Sequence, residues 1–543
     1  MRREESAPAR AALGPALAMG AVLLLALVPF RVVFAHPLTT LLGTSNDSVH
    51  GTWSLWYLTD GGPADAFWPV GIVGTVIGGP SVLFGRAAAE AFGPVAAWSA
   101  SCAAQTVVAL LGVAALALRL GGGPWSAPGA ALLLLCGRPL LAHVALGVPE
   151  GAAIGWFALA LAVGLAKEPA GHAPRRALPH GAATGAQLGM SLVENPYSVP
   201  LVGLAAVGFA WVRVRARAWP RLLGEAAGGT VVLGLWYALS ARGGALDPAA
   251  IGKTVQVLGF PYVAEGYDGR AHWAGLLRPW PLPRYAGARL TELLGGGGAD
   301  YLGWVPLVAA LGAVGLRVPR ARACVLAGAV LVALAFGSFP FGEEAGIPGP
   351  YLYGNLVLGW IVRPLTQPVR LLVPAAAAFA VAGGLLLGRQ LLARRRAVPA
   401  VLFTLATVEC LTAGAPTTRI PTFDLSTWAC LADLDPGPVA TGAAHTAFET
   451  AGSAALAMQM VHGHPGTHGA IGGWRRREPR AGGLEAALKE VEAPSTTRAA
   501  MLAPLASAGV RWALLDADES PELDEARACG GVEAIDLQAL PGR

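Results

Sequence analysis

About eleven apolar runs, each close to the length a helix needs to cross a bilayer, constrain this chain more than any other feature. Crossing ~30 Å of hydrocarbon takes about 20 helical residues, somewhat fewer where helix ends are buried in protein. Only helices and closed barrels satisfy every backbone polar group in lipid. The runs fall near residues 11–34, 92–118, 130–146, 151–166, 181–193, 196–212, 226–241, 301–316, 324–339, 371–388 and 397–414. They predict an α-helical polytopic membrane protein. Composition agrees, because 54% hydrophobic against 13% charged residues excludes a string of soluble domains in 543 residues. The 72 glycines and 42 prolines sit between apolar runs, where membrane helices tolerate them. The first run follows the charged stretch MRREESAPAR but is longer than the apolar core of a signal peptide, so it reads as a retained span.

Basic residues resist translocation, so their distribution sets orientation. With a cytoplasmic N-terminus, Arg2, Arg3, Arg10, Arg119, Lys167, Arg175, Arg176, Arg213, Arg215, Arg217, Arg221, Arg317, Arg320, Arg322, Arg389, Arg394, Arg395 and Arg396 collect on the inner side. The basic residues of the long outer segment 242–300 weigh little, because loops of that length cross largely regardless of charge. The shorter outer loops hold only Arg86 and Arg363. An odd number of spans places the tail outside. The expected organisation is a transmembrane domain over 1–414 with large outer loops 36–91 and 242–300, then a small soluble α/β domain over 415–543. Within that domain VRWALLD alternates like a strand. Cys430 and Cys529 are the only cysteines of the tail, in a compartment where disulfides persist, and are expected to pair. The net charge of +5 is scattered, without the dense basic stripe that nucleic acid requires. No cysteine spacing fits a metal cluster. His462, His464 and His468 lack a nearby carboxylate or fourth ligand and read as a surface or substrate-facing loop, so no metal ligands are assigned.

The first outer loop carries the most chemistry. Asn46, Asp47, Ser48 and His50 lead into Trp53, Leu55, Trp56 and Tyr57, an aromatic stretch able to lie at the membrane surface. Asp47 and His50 are three apart and share a helix face, although Asp47 also suits a helix cap. Glu150 and Glu194 sit in two otherwise apolar turns that the predicted topology brings to the same outer surface. Arg138 and His143 lie inside the third run, where a charge is costly and is usually paired or lines a cavity, and either Glu150 or Glu194 is a candidate partner for Arg138.

The layout of a first span, an acid-headed Trp-rich loop, many further spans and an outer tail resembles the GT-C superfamily of membrane glycosyltransferases. The stretch NDSVHGTWSLWYLTD followed by FWPVG resembles the Asp-x-x-x-x-x-Trp-x-x-Trp loop of a poorly characterised bacterial branch of such proteins. RPLTQPVRLLVPAAAAFAV resembles its Pro-Arg entry into a late span, and QMVHGHPGTHGAIGGW its Gln-x-x-His-Gly tail motif. The resemblance implies transfer of a sugar from a polyprenyl-phosphate-linked donor to a glycan, lipid or protein acceptor at the outer face of a bacterial inner membrane. It maps the loop acid, a general base or metal ligand, onto Asp47, with His50 beside it as the second catalytic candidate. Arg370, and with it Arg363, is placed where a cation would offset the charge of a departing lipid phosphate. Glu150, Glu194, Trp53 and Trp56 complete the expected substrate-binding set. Where many GT-C members have a second loop acid this chain has Asn46, so a divalent cation would need Glu150 or Glu194 in its oxygen shell. A transporter and a non-catalytic scaffold of envelope assembly are the alternatives. A transporter's internal symmetry is not evident in the sequence.

Overall fold

The computed structural model of the chain describes residues 6–44, 46–59, 72–74, 85–145, 154–166, 177–194, 198–240, 301–335, 368–392, 397–441, 448, 451–465, 474–476, 499–517 and 526–539. In chain order the elements begin with α1 (Ser6–Leu27), α2 (Arg31–Ala35), β1 (Thr40–Leu42), α3 (Asn46–Thr59), β2 (Ile72–Gly74), α4 (Arg86–Phe92) and α5 (Pro94–Arg119). Helices follow as α6 (Ser126–Cys136), α7 (Pro139–Ala145), α8 (Ile154–Gly164), α9 (Ala177–Glu194), α10 (Val199–Arg215) and α11 (Trp219–Ser240). After them come α12 (Trp304–Gly315), α13 (Ala321–Ala335), α14 (Leu372–Leu392) and α15 (Ala397–Thr412). The remainder is β3 (Thr422–Asp424), β4 (Val439–Thr441), α16 (Ala451–His462), β5 (Trp474–Arg476), α17 (Ala499–Ser507), β6 (Trp512–Asp516), β7 (Ala526–Cys529) and β8 (Val532–Asp536).

The chain divides into two compact units. The first holds Met1–Arg31, Cys102–Trp236 and Val255–Ile420, and the second Val32–Ser101, Tyr237–Thr254 and Pro421–Arg543.

The first unit is helical, and each of the apolar runs read from the sequence contains helix. Among the described residues Leu13–Ala35, Pro94–Arg119, Leu372–Arg389 and Pro399–Thr417 are long and apolar enough to cross a membrane. The third run is not the continuous span the sequence suggests. Its halves α6 and α7 meet at 52°. Gly137 at the break is extended, and a Cβ there would lie 3.0 Å from the Leu302 carbonyl oxygen and 3.2 Å from that of Tyr301. The Arg138 amide donates to the Tyr301 carbonyl at 2.8 Å, so a neighbouring strand of chain replaces the helical partner lost at the bend.

Close helix contacts explain part of the glycine load. Gly112 of α5 and Gly155 of α8 face one another so closely that a Cβ on either would strike the other helix's backbone. Gly181 and Gly185 of α9 meet the backbone of α11 in the same way. Small residues let helices approach in lipid, where packing rather than water exclusion holds them together.

Two arginines counted toward orientation prove to be structural. Arg213 and Arg221 are buried and share Glu225, at 3.2 Å and 3.8 Å. Arg221 donates to the carbonyls of Val163, Gly164 and Ala166, and Arg213 to that of Gly164 at 2.6 Å. The last turn of α8 thus has its open carbonyls, and the negative end of its dipole, covered by cations. At the start of α12 the polarity is reversed. Glu409 of α15 accepts the amides of Trp304 at 2.7 Å and Val305 at 2.9 Å, and the Tyr301 hydroxyl donates to the same carboxylate.

The second unit contains a small sheet in the tail, ordered β4-β6-β8-β7, with β4 and β6 parallel and the other pairs antiparallel. VRWALLD does supply a strand, β6, but the first four residues of that strand are all buried rather than alternating about Arg511. Leu502, Leu505 and Ala506 of α17 pack with Ala440, Ala513, Leu515 and Ile535 as the core on one side of that sheet. Cys430 and Cys529 are disulfide-bonded, with Cα atoms 6.0 Å apart. Nearby, buried Trp428 packs against Phe423 and Phe448. The tail does not make this unit alone. β1 of the first loop pairs antiparallel with β3, Thr40 opposite Asp424, and β2 pairs with β5, Ile72 opposite Arg476.

Candidate functional site

The loop motif folds as α3, with Asp47 its second residue. Gly51 is required within the helix, because the ring of Trp98 occupies the space a Cβ would take. Val49, Trp53, Leu55, Trp56, Tyr57 and Leu58 are buried. The rings expected at headgroup level are therefore inside the protein. Trp53 and Tyr57, one helical turn apart, stack at 5.3 Å, and Trp56 tilts against Trp53 at 6.0 Å.

Trp53 is fully buried, and its indole Nε1–H donates to Oε1 of Gln459 on α16 at 2.9 Å. Gln459 Nε2 donates in turn to the His464 carbonyl at 3.1 Å, and the His464 amide donates to Nδ1 of His462 at 3.0 Å. His464 Nε2 bonds the Leu434 carbonyl at 2.9 Å. A carbonyl only accepts, so that nitrogen carries the proton, while Nδ1 of His462 must be bare to accept its amide. Gly463, at φ +70°, makes the turn between the two rings, a conformation that strains any residue with a Cβ. The Asp-x-x-x-x-x-Trp-x-x-Trp stretch and the Gln-x-x-His-Gly stretch, 406 residues apart, thus meet in one hydrogen-bonded core.

His50 shares the first half of α3 with Asp47. Burial pushes its imidazole down to about 4, which keeps it neutral at physiological pH. The unfolded group titrates near 6.5. Between pH 6.5 and 4 the unfolded chain therefore binds more protons, and stability falls as pH falls, with no further loss from this group below about 4. The thermal midpoint of the protein should drop between pH 7.5 and 4.5, and by less in His50→Gln. Equal drops in the two proteins would show that His50 is not the group responsible.

In the first unit, Arg138, His143, Glu194 and Arg370 are all buried. Arg138 sits at the α6/α7 break, and its guanidinium donates to the Ala413 carbonyl at 2.7 Å and to Thr417 Oγ1 at 2.9 Å. Among the described residues these two oxygens hold the cation; Glu150, one of the two carboxylates the sequence suggested for it, lies outside them. Arg370 lies in a single 3-10 turn, Pro368–Leu371, immediately before α14, and His143 lies in α7. Glu194 is the last residue of α9. Glu150, Arg363 and His468 lie outside the described residues. Among the described residues no three His, Cys, Asp or Glu side chains are placed to hold a metal ion.

No family model and no curated protein matches the chain. Solved structures do. The Archaeoglobus fulgidus oligosaccharyltransferase in its apo form aligns over 92% of this chain and 69% of its own, with 13% identity and a TM-score of 0.48. ArnT from Cupriavidus metallidurans aligns in its apo state over 97% of this chain and 98% of its own, with 17% identity and a TM-score of 0.43. The same protein bound to undecaprenyl phosphate gives 16% identity and a TM-score of 0.41. At these values the likeness carries no residue's role to this chain.

Three groups of consequence escaped the sequence. Gln459 stood within a recognised motif, yet an amide in an apolar helix shows nothing of its partner. Nothing in the sequence singles out Glu409 or Glu225; the open amides of α12 explain the first and the buried Arg213 and Arg221 the second.

Proposed function

We propose that the chain is a membrane glycosyltransferase that moves a sugar from a polyprenyl-phosphate-linked donor to an envelope acceptor at the outer face of the bacterial inner membrane. In this reading the N-terminus is cytoplasmic and the second unit lies outside. Asp47 accepts the proton of the acceptor hydroxyl as its oxygen bonds to the anomeric carbon. The bond from that carbon to the donor phosphate breaks, and polyprenyl phosphate leaves as an anion. Arg370 is the group proposed to offset that charge, since a preformed cation costs no reorganisation as the charge develops. His50, neutral and on the same helix as Asp47, orients rather than supplies the proton. Glu150, Glu194 and Arg363 are proposed as further donor- or acceptor-binding groups.

The observation that carries this reading is the buried bond from Trp53 to Gln459. It ties the acid-bearing helix to the tail's motif and so makes the helix a fixed support, as a catalytic group demands. A tail serving only as a detachable binding module would have no need of it. Purified protein in lipid nanodiscs, supplied with a panel of undecaprenyl-phosphate-linked sugars and an envelope extract as acceptor, should release undecaprenyl phosphate and label the acceptor. Folded protein that consumes no donor in the panel would overturn the enzyme reading in favour of a scaffold.

A further inference from the structure

A cavity of about 690 Å³ runs between α5, α8, α10, α13 and α14, lined almost entirely by apolar side chains. That volume is typical of a ligand pocket. One end is formed by Leu120, Leu165 and Ala323, and the helix termini there carry Arg119, Arg320 and Arg322. Arg119 Nη2 donates to the Leu165 carbonyl at 3.2 Å, which holds its guanidinium at the rim. Nη1 of Arg320 lies against Gly121, 3.6 Å from where a Cβ would stand, so it borders the same rim from the α12–α13 turn. Arg320 and Arg322 are exposed. Among the described residues of 113–126, 161–166 and 314–331 there is no Asp or Glu to neutralise them.

The backbone at this turn is also unusual. Arg317 and Arg320 adopt φ of 53° and 66°, in the left-handed region that glycine occupies without strain. Arg317 follows α12 at the position where glycine is the usual helix terminator. A chain with 72 glycines nonetheless places arginine at both positions. Arg217, in the α10–α11 turn, takes the same region at φ 54°, so the conformation recurs in arginine-bearing turns of this chain; of the three, Arg320 borders the cavity.

We propose that this cavity holds one acyl chain of an anionic phospholipid, with the lipid phosphate on Arg119, Arg320 and Arg322. An apolar trough ending in several arginines matches a molecule with a long apolar tail and an anionic head, and basic pockets between membrane helices bind such lipids. A zwitterionic lipid would fill the trough equally well but would bring no net charge to the arginines.

The proposal does not depend on transferase activity, and its test reads lipid alone. Delipidated protein is titrated with phosphatidylglycerol or phosphatidylcholine of identical chains and examined by native mass spectrometry. One phosphatidylglycerol should be retained in preference to phosphatidylcholine. Arg320→Gly suits the local φ and should fold normally, and it should weaken that preference roughly five-fold, from about 1 kcal/mol per basic residue near an anionic lipid. Equal retention of the two lipids by the wild-type protein would overturn the proposal. So would one-for-one displacement of the lipid by undecaprenyl phosphate, which would assign the cavity to a donor instead.

Discussion

Asp47→Asn is expected to lower sugar transfer by about 10²- to 10⁴-fold while leaving the protein folded. The residue is the second of α3, within the first turn. A carboxylate there also gains from the positive end of the helix dipole, an effect of about 0.3–1 kcal/mol at most. Asparagine keeps the size and nearly all the capping ability of aspartate but cannot take a proton from a hydroxyl. A purely structural Asp47 therefore loses at most a little stability and no rate. A general base loses the full range given, which is the usual contribution of such a group. The measurement is initial rate of donor consumption in nanodiscs, with Glu194→Gln alongside as an isosteric change in a buried acid of the first unit. Undiminished transfer by the Asp47 variant would remove the base from the mechanism.

Trp53→Ala should destabilise the second unit by about 3–5 kcal/mol, the usual result of emptying a buried tryptophan site. The loss has two parts. The ring is fully buried against Trp56 and Tyr57, so its removal leaves a cavity, and the Gln459 amide oxygen loses the indole donor. Trp53→Phe separates them, since it retains much of the ring and forfeits only the hydrogen bond, for about 1–3 kcal/mol. Rates of limited proteolysis within the second unit should rise in the order wild type, Trp53→Phe, Trp53→Ala. Equal protection in all three would mean that the two motifs are joined by something other than this contact.

The Trp53 site also marks where reading the sequence reached its limit. Tryptophans at helical spacing in an outer loop suit a membrane surface and a protein core equally well, because hydropathy and periodicity describe a side chain and not its surroundings. The partner that decides between them, Gln459, is 406 residues away. Arg138 is a parallel case. Its location in an apolar run was plain, but two of the groups that bind it, the Ala413 carbonyl and the Thr417 hydroxyl, show no signal in sequence.

What the amino-acid order determined by itself is whatever local free energy decides. Long apolar runs must become helices in lipid, and the apolar stretch 512–516 becomes a strand; the Cys430–Cys529 bond, expected from the compartment of the tail, needed the fold to bring together two residues 99 apart. Tertiary structure alone decided the break at Gly137, the arginine-covered end of α8, the Glu409 cap on α12 and the folding of the first loop with the tail. Each depends on which backbone groups a distant segment leaves open. A buried polar group takes whatever partner the packing of remote helices brings within about 3 Å, and no local pattern encodes that choice.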